Sequence, residues 1–362
     1  MKRRLFLLSL LLLLLGGCAS APEASSLTVV TGIGLDGVPG SCRVSAEAIQ
    51  LTQTQVGGQR VLLHADGVTL TDGIRNTVAI TGRQLQSHHA EVLILGRDTA
   101  EAGLRPVLED LLRQNQYPVS MQLAVAKGTA QEIMGTDPVV GDIGSLELDT
   151  MLSQGEHQCG TPSVTVAEFY QQACAPGLEP VLPFAELRQN GEQMVREITG
   201  CALFRDMSLL SILDSRESRV LLWMRGSAGG TLVSDSAVFQ VSELKRELKV
   251  TPEGGTLTLR VRLKADGDQE QDAELRRQAE QLLKAQCEQL LELLQARQCD
   301  ALGVGNRLWK TDPQAWQQVK EDWPERFSQY PLQVEVIVEK LQWGRIWTAR
   351  TVEQWEEQMH GE

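Results

Sequence analysis

The sequence predicts an α+β, multi-domain protein: two to three mixed α/β domains, mostly antiparallel sheets, and a long helix in the C-terminal domain. Three observations predict it. Segments such as Thr256–Leu263 (TLTLRVRL) and Leu332–Val338 (LQVEVIV) alternate with period two, the mark of half-buried strands. Between such segments lie runs with one apolar face at helical spacing, the longest over Asp272–Gln298. The chain has 362 residues, more than a single hydrophobic core ordinarily serves.

The first element is a leader. Lys2, Arg3 and Arg4 precede an apolar run, Leu5 to Leu15, broken by Ser9. A membrane-spanning helix needs roughly 20 residues, so this run is too short to stay as an anchor and reads as a secretory signal. It ends in Leu15-Gly16-Gly17-Cys18, which resembles the bacterial lipobox. That resemblance implies cleavage before Cys18 and a diacylglycerol on its thiol; two acyl chains give stable residence where one gives marginal residence. The expected parts are therefore a signal peptide at 1–17, a lipidated tether at 18–26, an N-terminal α/β region at 27–198 in two lobes with a break near 135–165, a C-terminal α+β domain at 199–345, and a tail at 346–362.

In the N-terminal region, Leu27–Leu35 and Cys42–Leu51 alternate around Asp36-Gly37 and Pro39-Gly40, which predicts a hairpin. The Gly32-Ile33-Gly34 within it lacks the third glycine and the following helix of a dinucleotide loop. Asp72–Ile80 is a weak helix, and Ala90–Leu95 a buried strand. Asp98 to Glu101 has capping-box spacing. A helix with Val107, Leu108, Leu111 and Leu112 on one face starts at Pro106, and Val119–Ala126 alternates as a strand. Gly135–Pro162 lacks periodicity and reads as a linker or long loop. Val164–Cys174 is helical, and Pro176–Pro183 interrupts the chain.

The C-terminal region starts with strand signals at Ala202–Arg205. Val220–Met224 is buried, as strand or helix end. Ala237–Lys249 and Thr256–Leu263 form a hairpin around Gly254-Gly255. On the long helix, Leu275, Ala279, Leu282, Gln286, Leu290 and Leu294 form the inward stripe. All seven tryptophans fall in this half, which suggests a separate core.

Composition narrows the function. The formal charge is −13, and loss of Lys2, Arg3 and Arg4 with the leader takes it to −16. An acidic body argues against nucleic acid and against electrostatic adhesion to anionic lipid. His88-His89, expected on a strand, would point to opposite faces and could not share a metal. No C-x-x-C, H-E-x-x-H, G-x-S-x-G or P-loop occurs. Catalytic, cofactor-binding and metal-binding residues are therefore expected to be absent, and Cys18 is the one residue given a chemical role. The pairing of Cys42, Cys159, Cys174, Cys201, Cys287 and Cys299 stays open; Cys159 with Cys174 is the most plausible bridge, and buried thiols are the alternative.

Seven segments, in order, resemble the Ger(x)C family, the lipoprotein C subunits of spore germination receptors. They are Val29–Asp36 (VVTGIGLD), Ser87–Leu104 (SHHAEVLILGRDTAEAGL), Leu123–Met134 (LAVAKGTAQEIM), Gly200–Asp206 (GCALFRD), Glu217–Gly226 (ESRVLLWMRG), Cys299–Leu308 (CDALGVGNRL) and Asp312–Phe327 (DPQAWQQVKEDWPERF). The chain departs from the family where Ser25-Ser26 replace a tryptophan and acidic residues, and Arg345–Glu362 extends past the matched region. The resemblance implies three α/β-type domains and a non-enzymatic subunit held by its lipid on the outer face of the spore inner membrane. It implies an integral-membrane A subunit and a transporter-like B subunit as partners, with no direct small-molecule ligand. A solute-binding lipoprotein of a transporter is the rival reading; sparse aromatics and dissimilar halves count against it.

Overall fold

The computed structural model describes residues 28–50, 59–158, 160–234, 237–266 and 272–343. β1 (Thr28–Val38) and β2 (Ser41–Gln50) are the expected hairpin, turning at Pro39-Gly40, and β3 (Gln59–Gly67) extends it. After α1 (Leu70–Asn76) and α2 (Val78–Thr81), the short β4 (Leu85–Gln86) and then β5 (Val92–Leu95) lie parallel to β1. α3 (Arg97–Ala102) and α4 (Arg105–Gln114) lead to β6 (Gln122–Ala126). α5 (Ala130–Gly135), α6 (Gly144–Gln158) and α7 (Val166–Ala173) lead to β7 (Val181–Asn190), and β8 (Gln193–Arg205) and β9 (Ser208–Leu213) complete the sheet.

The order is β3-β2-β1-β5-β6-β7-β8-β9, with β4 beside β1. Its middle is parallel and its two flanks antiparallel. Parallel neighbours need crossovers, and the helices supply them. Alternation in β5 shows how the layers form. Leu93 and Leu95 pack with Leu104, Leu108, Leu111 and Phe169 on one face. Val92 and Ile94 pack with Ala130, Ile133, Met134, Leu148 and Leu152 on the other. A strand buried on both faces reads as a continuous apolar run, as VLIL does.

The second domain is a four-stranded sheet, β10 (Thr231–Val233), β11 (Val238–Thr251), β12 (Gly254–Asp266) and β13 (Leu332–Trp343), in that order. α8 (Ser215–Arg225) precedes it, with Asp214 and Glu217 forming a capping box. α9 (Asp272–Ala296), α10 (Val304–Thr311), α11 (Pro313–Val319) and α12 (Trp323–Gln329) return the chain so that β13 pairs parallel to β12. The buried row of α9 is Leu275, Ala279, Leu283, Cys287, Leu290, Leu291 and Leu294. Leu282 and Gln286, placed on the stripe by spacing, sit at its half-buried edge.

Four local expectations differ from the structure. The stretch 135–162 holds the 15-residue α6, whose inward side includes Ser145 beside Leu148 and Leu152, so its apolar period is weak. Asp98 does not cap a helix: Gly96 is the N-cap of α3, and Asp98 accepts the backbone N–H groups of Gly37 and Thr99. His88 and His89 stand exposed in a turn rather than on a strand. β8 runs unbroken through 198/199 and serves two cores: Ala202 and Phe204 face the N-terminal core, Cys201 and Leu203 the C-terminal one.

Candidate functional site

Three buried carboxylates, each at the start of a helix, organise the molecule. Asp36 in β1 accepts the N–H groups of Ala130 at 2.6 Å and Gln131 at 2.9 Å, in the first turn of α5. Glu47 in β2, fully buried, accepts those of Gly144 at 3.1 Å and Ser145 at 2.5 Å, in the first turn of α6. Asp300 accepts those of Val304 at 2.9 Å and Gly305 at 2.7 Å in α10, and the Trp323 indole N–H at 3.0 Å. The first N–H groups of a helix lack intrahelical partners and carry partial positive charge, which a carboxylate satisfies.

Electrostatics separate the three. Burial pushes the Glu47 carboxyl up, but hydrogen bonds from Ser145 and Arg60 outweigh it and hold it below the usual range. Arg60 pairs with Glu47 and, at 3.1 Å, with Asp137. Arg196, with 1% of its side chain exposed, donates to the carbonyls of Gly144 at 2.9 Å and Thr136 at 2.8 Å. At Asp36 and Asp300 burial wins, and both carboxyls are raised despite their donors.

The glycines of the first motif belong to this packing. A Cβ on Gly32 would meet Ser145, Met134 and Val92, and one on Gly34 would meet Met134 and Ala130. Gly32-Ile33-Gly34 therefore brings α5 and α6 close to the sheet; it cradles no phosphate. Gly305 plays the same part under Trp323 and Trp316. These two indoles stand edge-to-face with centroids 5.5 Å apart.

The same elements join the domains. The Glu179 N–H donates to the Asp300 carbonyl at 3.0 Å, and Asn306 donates to Pro176 and Gly177. Arg205 donates to the carbonyls of Arg297 at 2.7 Å and Gln298 at 2.8 Å. Gly177 has φ +66° and lies against the backbone of Gly305 and Asn306, a position where a side chain has neither conformation nor room. The junction carries a partly open pocket of about 240 Å³ lined by Glu179, Asp206, Asp300, Trp316 and Lys320 among others. Burial pushes the Glu179 carboxyl up to about 7, against the opposing charge of Arg205.

Cys18 and Cys159 lie outside the described residues, as do the tether and the 346–362 tail. Among the described residues no two cysteines are bridged: Cys42, Cys201, Cys287 and Cys299 are buried and Cys174 is exposed. Burial pushes Cys201 and Cys287 up to about 12, which leaves them unreactive at neutral pH. Among the described residues, no group of three or more His, Cys, Asp or Glu side chains could hold a metal ion, and no helix is long and apolar enough to cross a membrane.

Sequence reasoning missed Glu47, Arg60 and Arg196. Glu47 shares its face of β2 with Arg43 and Ser45, which read as the solvent side of a hairpin. Only the docking of α6 shows that this face is buried at Glu47.

Known proteins share this architecture. A family described as "Spore germination protein N-terminal domain" matches residues 21–187, and one described as "Spore germination B3/ GerAC like, C-terminal" matches residues 199–342. Spore germination protein KC of Bacillus subtilis (strain 168) is 20% identical, with 92% of this chain and 95% of that protein covered. YfkR of the same organism is also 20% identical over the same shares. The crystal structure of the GerBC protein aligns with a TM-score of 0.52 at 14% identity, covering 90% of this chain and 99% of that one, a likeness of fold. Two consecutive family matches, two relatives covered almost end to end and a shared two-domain fold lead to one conclusion: the chain belongs to the Ger(x)C family of spore germination proteins.

Proposed function

We propose that the protein is the lipid-anchored, non-enzymatic C subunit of a nutrient germinant receptor, required for spore germination. It acts with integral-membrane A and B subunits, on the outer face of the spore inner membrane. The observation that carries this reading is the order of parts: a lipobox ending at Cys18, then ten residues later the first strand of a body matched by both germination-protein family models. Tethering a water-soluble body to a membrane raises its effective concentration near membrane partners, so individually weak contacts persist. The buried carboxylates Asp36, Glu47 and Asp300 are each engaged by helix N–H groups, which suits a rigid coupling element.

Cys18→Ala tests the reading. The substitution is expected to abolish acyl labelling, retain the leader and sharply reduce nutrient-triggered germination of spores. Normal germination by spores whose protein carries no acyl group would refute the anchor. Tight calorimetric binding of amino acids or sugars by the protein alone would favour a solute-binding lipoprotein.

A further inference from the structure

The loop between α7 and β7 is clasped by the C-terminal domain. The Gly177 carbonyl accepts the Asn306 N–H at 2.8 Å, and the Pro176 carbonyl accepts the Asn306 side-chain amide at 2.9 Å. The Glu179 N–H donates to the Asp300 carbonyl at 3.0 Å. Arg205, at the end of β8, spans the same gap through its two bonds to the Arg297 and Gln298 carbonyls. The junction pocket lies among these contacts, and the Glu179 side chain, 17% exposed, lines it.

The groups around that carboxyl do not balance a charge on it. From β8, Arg205 Nε lies 3.8 Å from Glu179 Oε1, beyond hydrogen-bond reach. Its Nη2 is already held by the two carbonyls of the other domain. Asp206 in the β8–β9 turn and Asp300 after α9 are like charges, and the Cys299 thiol also faces the group. Arg105 of α4 and Lys320, between α11 and α12, line the pocket, and Lys320 is itself 3.7 Å from Glu321. Burial raises the Glu179 carboxyl, Arg205 opposes the rise, and Asp206 and Asp300 add to it, which leaves the value at about 7.

We infer that this loop is a proton-sensitive latch between the two domains: it is closed on Asp300 and Asn306 while the Glu179 carboxyl is neutral, and released when that carboxyl ionises. A neutral carboxyl sits in the pocket without a cation. An ionised one needs water or a closer guanidinium, and Arg205 reaches it only by turning away from the Arg297 and Gln298 carbonyls. Either response loosens the domains at the same place. The Asp300 carboxylate stays bound to Val304, Gly305 and Trp323, so the C-terminal side of the latch is a fixed surface. In the open form Glu179 meets water and its ordinary value of 4.5 applies. Ionisation then favours the open form, and the open-to-closed ratio rises about ten-fold between pH 6 and pH 8.

The test is amide hydrogen exchange on the full-length protein in nonionic micelles at about pH 6 and pH 8, each rate divided by the intrinsic rate of a free amide at that pH. The Glu179 and Asn306 amides report the latch. The Leu123 amide, bonded to the Val164 carbonyl in the N-terminal core, reports wider unfolding. In wild type the protection of residues 179 and 306 is expected to fall about ten-fold from the lower pH to the higher while staying below that of Leu123. Glu179→Gln is neutral at both pH values and is expected to abolish the fall. Asp206→Asn is expected to shrink it, because one like charge leaves; asparagine suits the φ of +50° at that position. Unchanged protection in wild type, an equal fall in Glu179→Gln, or a larger one in Asp206→Asn would overturn the latch. So would exchange of residues 179 and 306 in step with Leu123, since the opening would then be unfolding.

Discussion

Replacing Glu47 by Gln removes one charge from the interior at nearly constant volume. The carboxylate is fully buried, accepts two backbone N–H groups of α6 and pairs with Arg60. Hydrogen bonds to a charged group contribute about 1.5–3 kcal/mol and neutral ones about 0.5–1.5, so three such bonds lose roughly 3 kcal/mol together. Arg60 keeps Asp137 as a partner, which limits the loss. In a protein of this size that corresponds to a fall in Tm of roughly 10 °C for the N-terminal domain. The sign with pH follows from the depressed Glu47 carboxyl. Its stabilisation is complete above the ordinary glutamate value of 4.5 and is lost as pH falls through the lower folded-state value. The gap between wild type and Glu47→Gln, measured by thermal unfolding in near-UV circular dichroism, is therefore widest at neutral pH and closes in acid. A drop below about 3 °C at neutral pH, or a gap unchanged in acid, would refute the reasoning.

Glu179 titrates in the opposite sense. Its folded-state value of about 7 lies above the ordinary 4.5, so the native state binds the proton more tightly and stability falls as pH rises between the two. Glu179→Gln is expected to match wild type in acid and to exceed it by roughly 1–3 kcal/mol at about pH 8, read from denaturant midpoints; the same offset at both pH values would count against it. Trp323→Phe leaves the buried Asp300 without its indole donor and costs about 1.5–3 kcal/mol of C-terminal domain stability, measured by urea unfolding. Leu283→Ala is expected to cost about 2–5 kcal/mol and Leu282→Ala clearly less, because only the former is fully buried on α9; equal urea midpoints would place the wrong row inward.

Where a segment buries one face, its period was enough to place it. The β11–β12 hairpin, α9 and β13 are legible because each shows one side to its own sheet and the other to water. Where a segment is covered on both sides, the period fades. α6 was hidden because it buries Ser145 over Gly32 as well as Leu148 and Leu152, and β7 because it begins within a proline-interrupted stretch. The family motifs were visible as letters, but their roles were not. Asp36, Asp300 and Gly305 act on partners that close only in three dimensions: 94 residues apart for Asp36 and Ala130, 23 for Asp300 and Trp323.

The sequence by itself determined a short apolar run ending at a lipobox-like cysteine, an acidic composition, a mixed α and β architecture and a germination-family resemblance. These depend on local chemistry: the length of an apolar run, the count of charges and the spacing of neighbouring side chains. Tertiary structure alone decided that the large sheet is parallel at its centre and that β8 belongs to two cores. It also decided that Glu47 is a buried cap rather than a surface charge. The physical reason is that burial belongs to pairs of elements: a carboxylate on a strand is solvated or structural according to whether a helix is laid over it, and no feature of the strand records that helix.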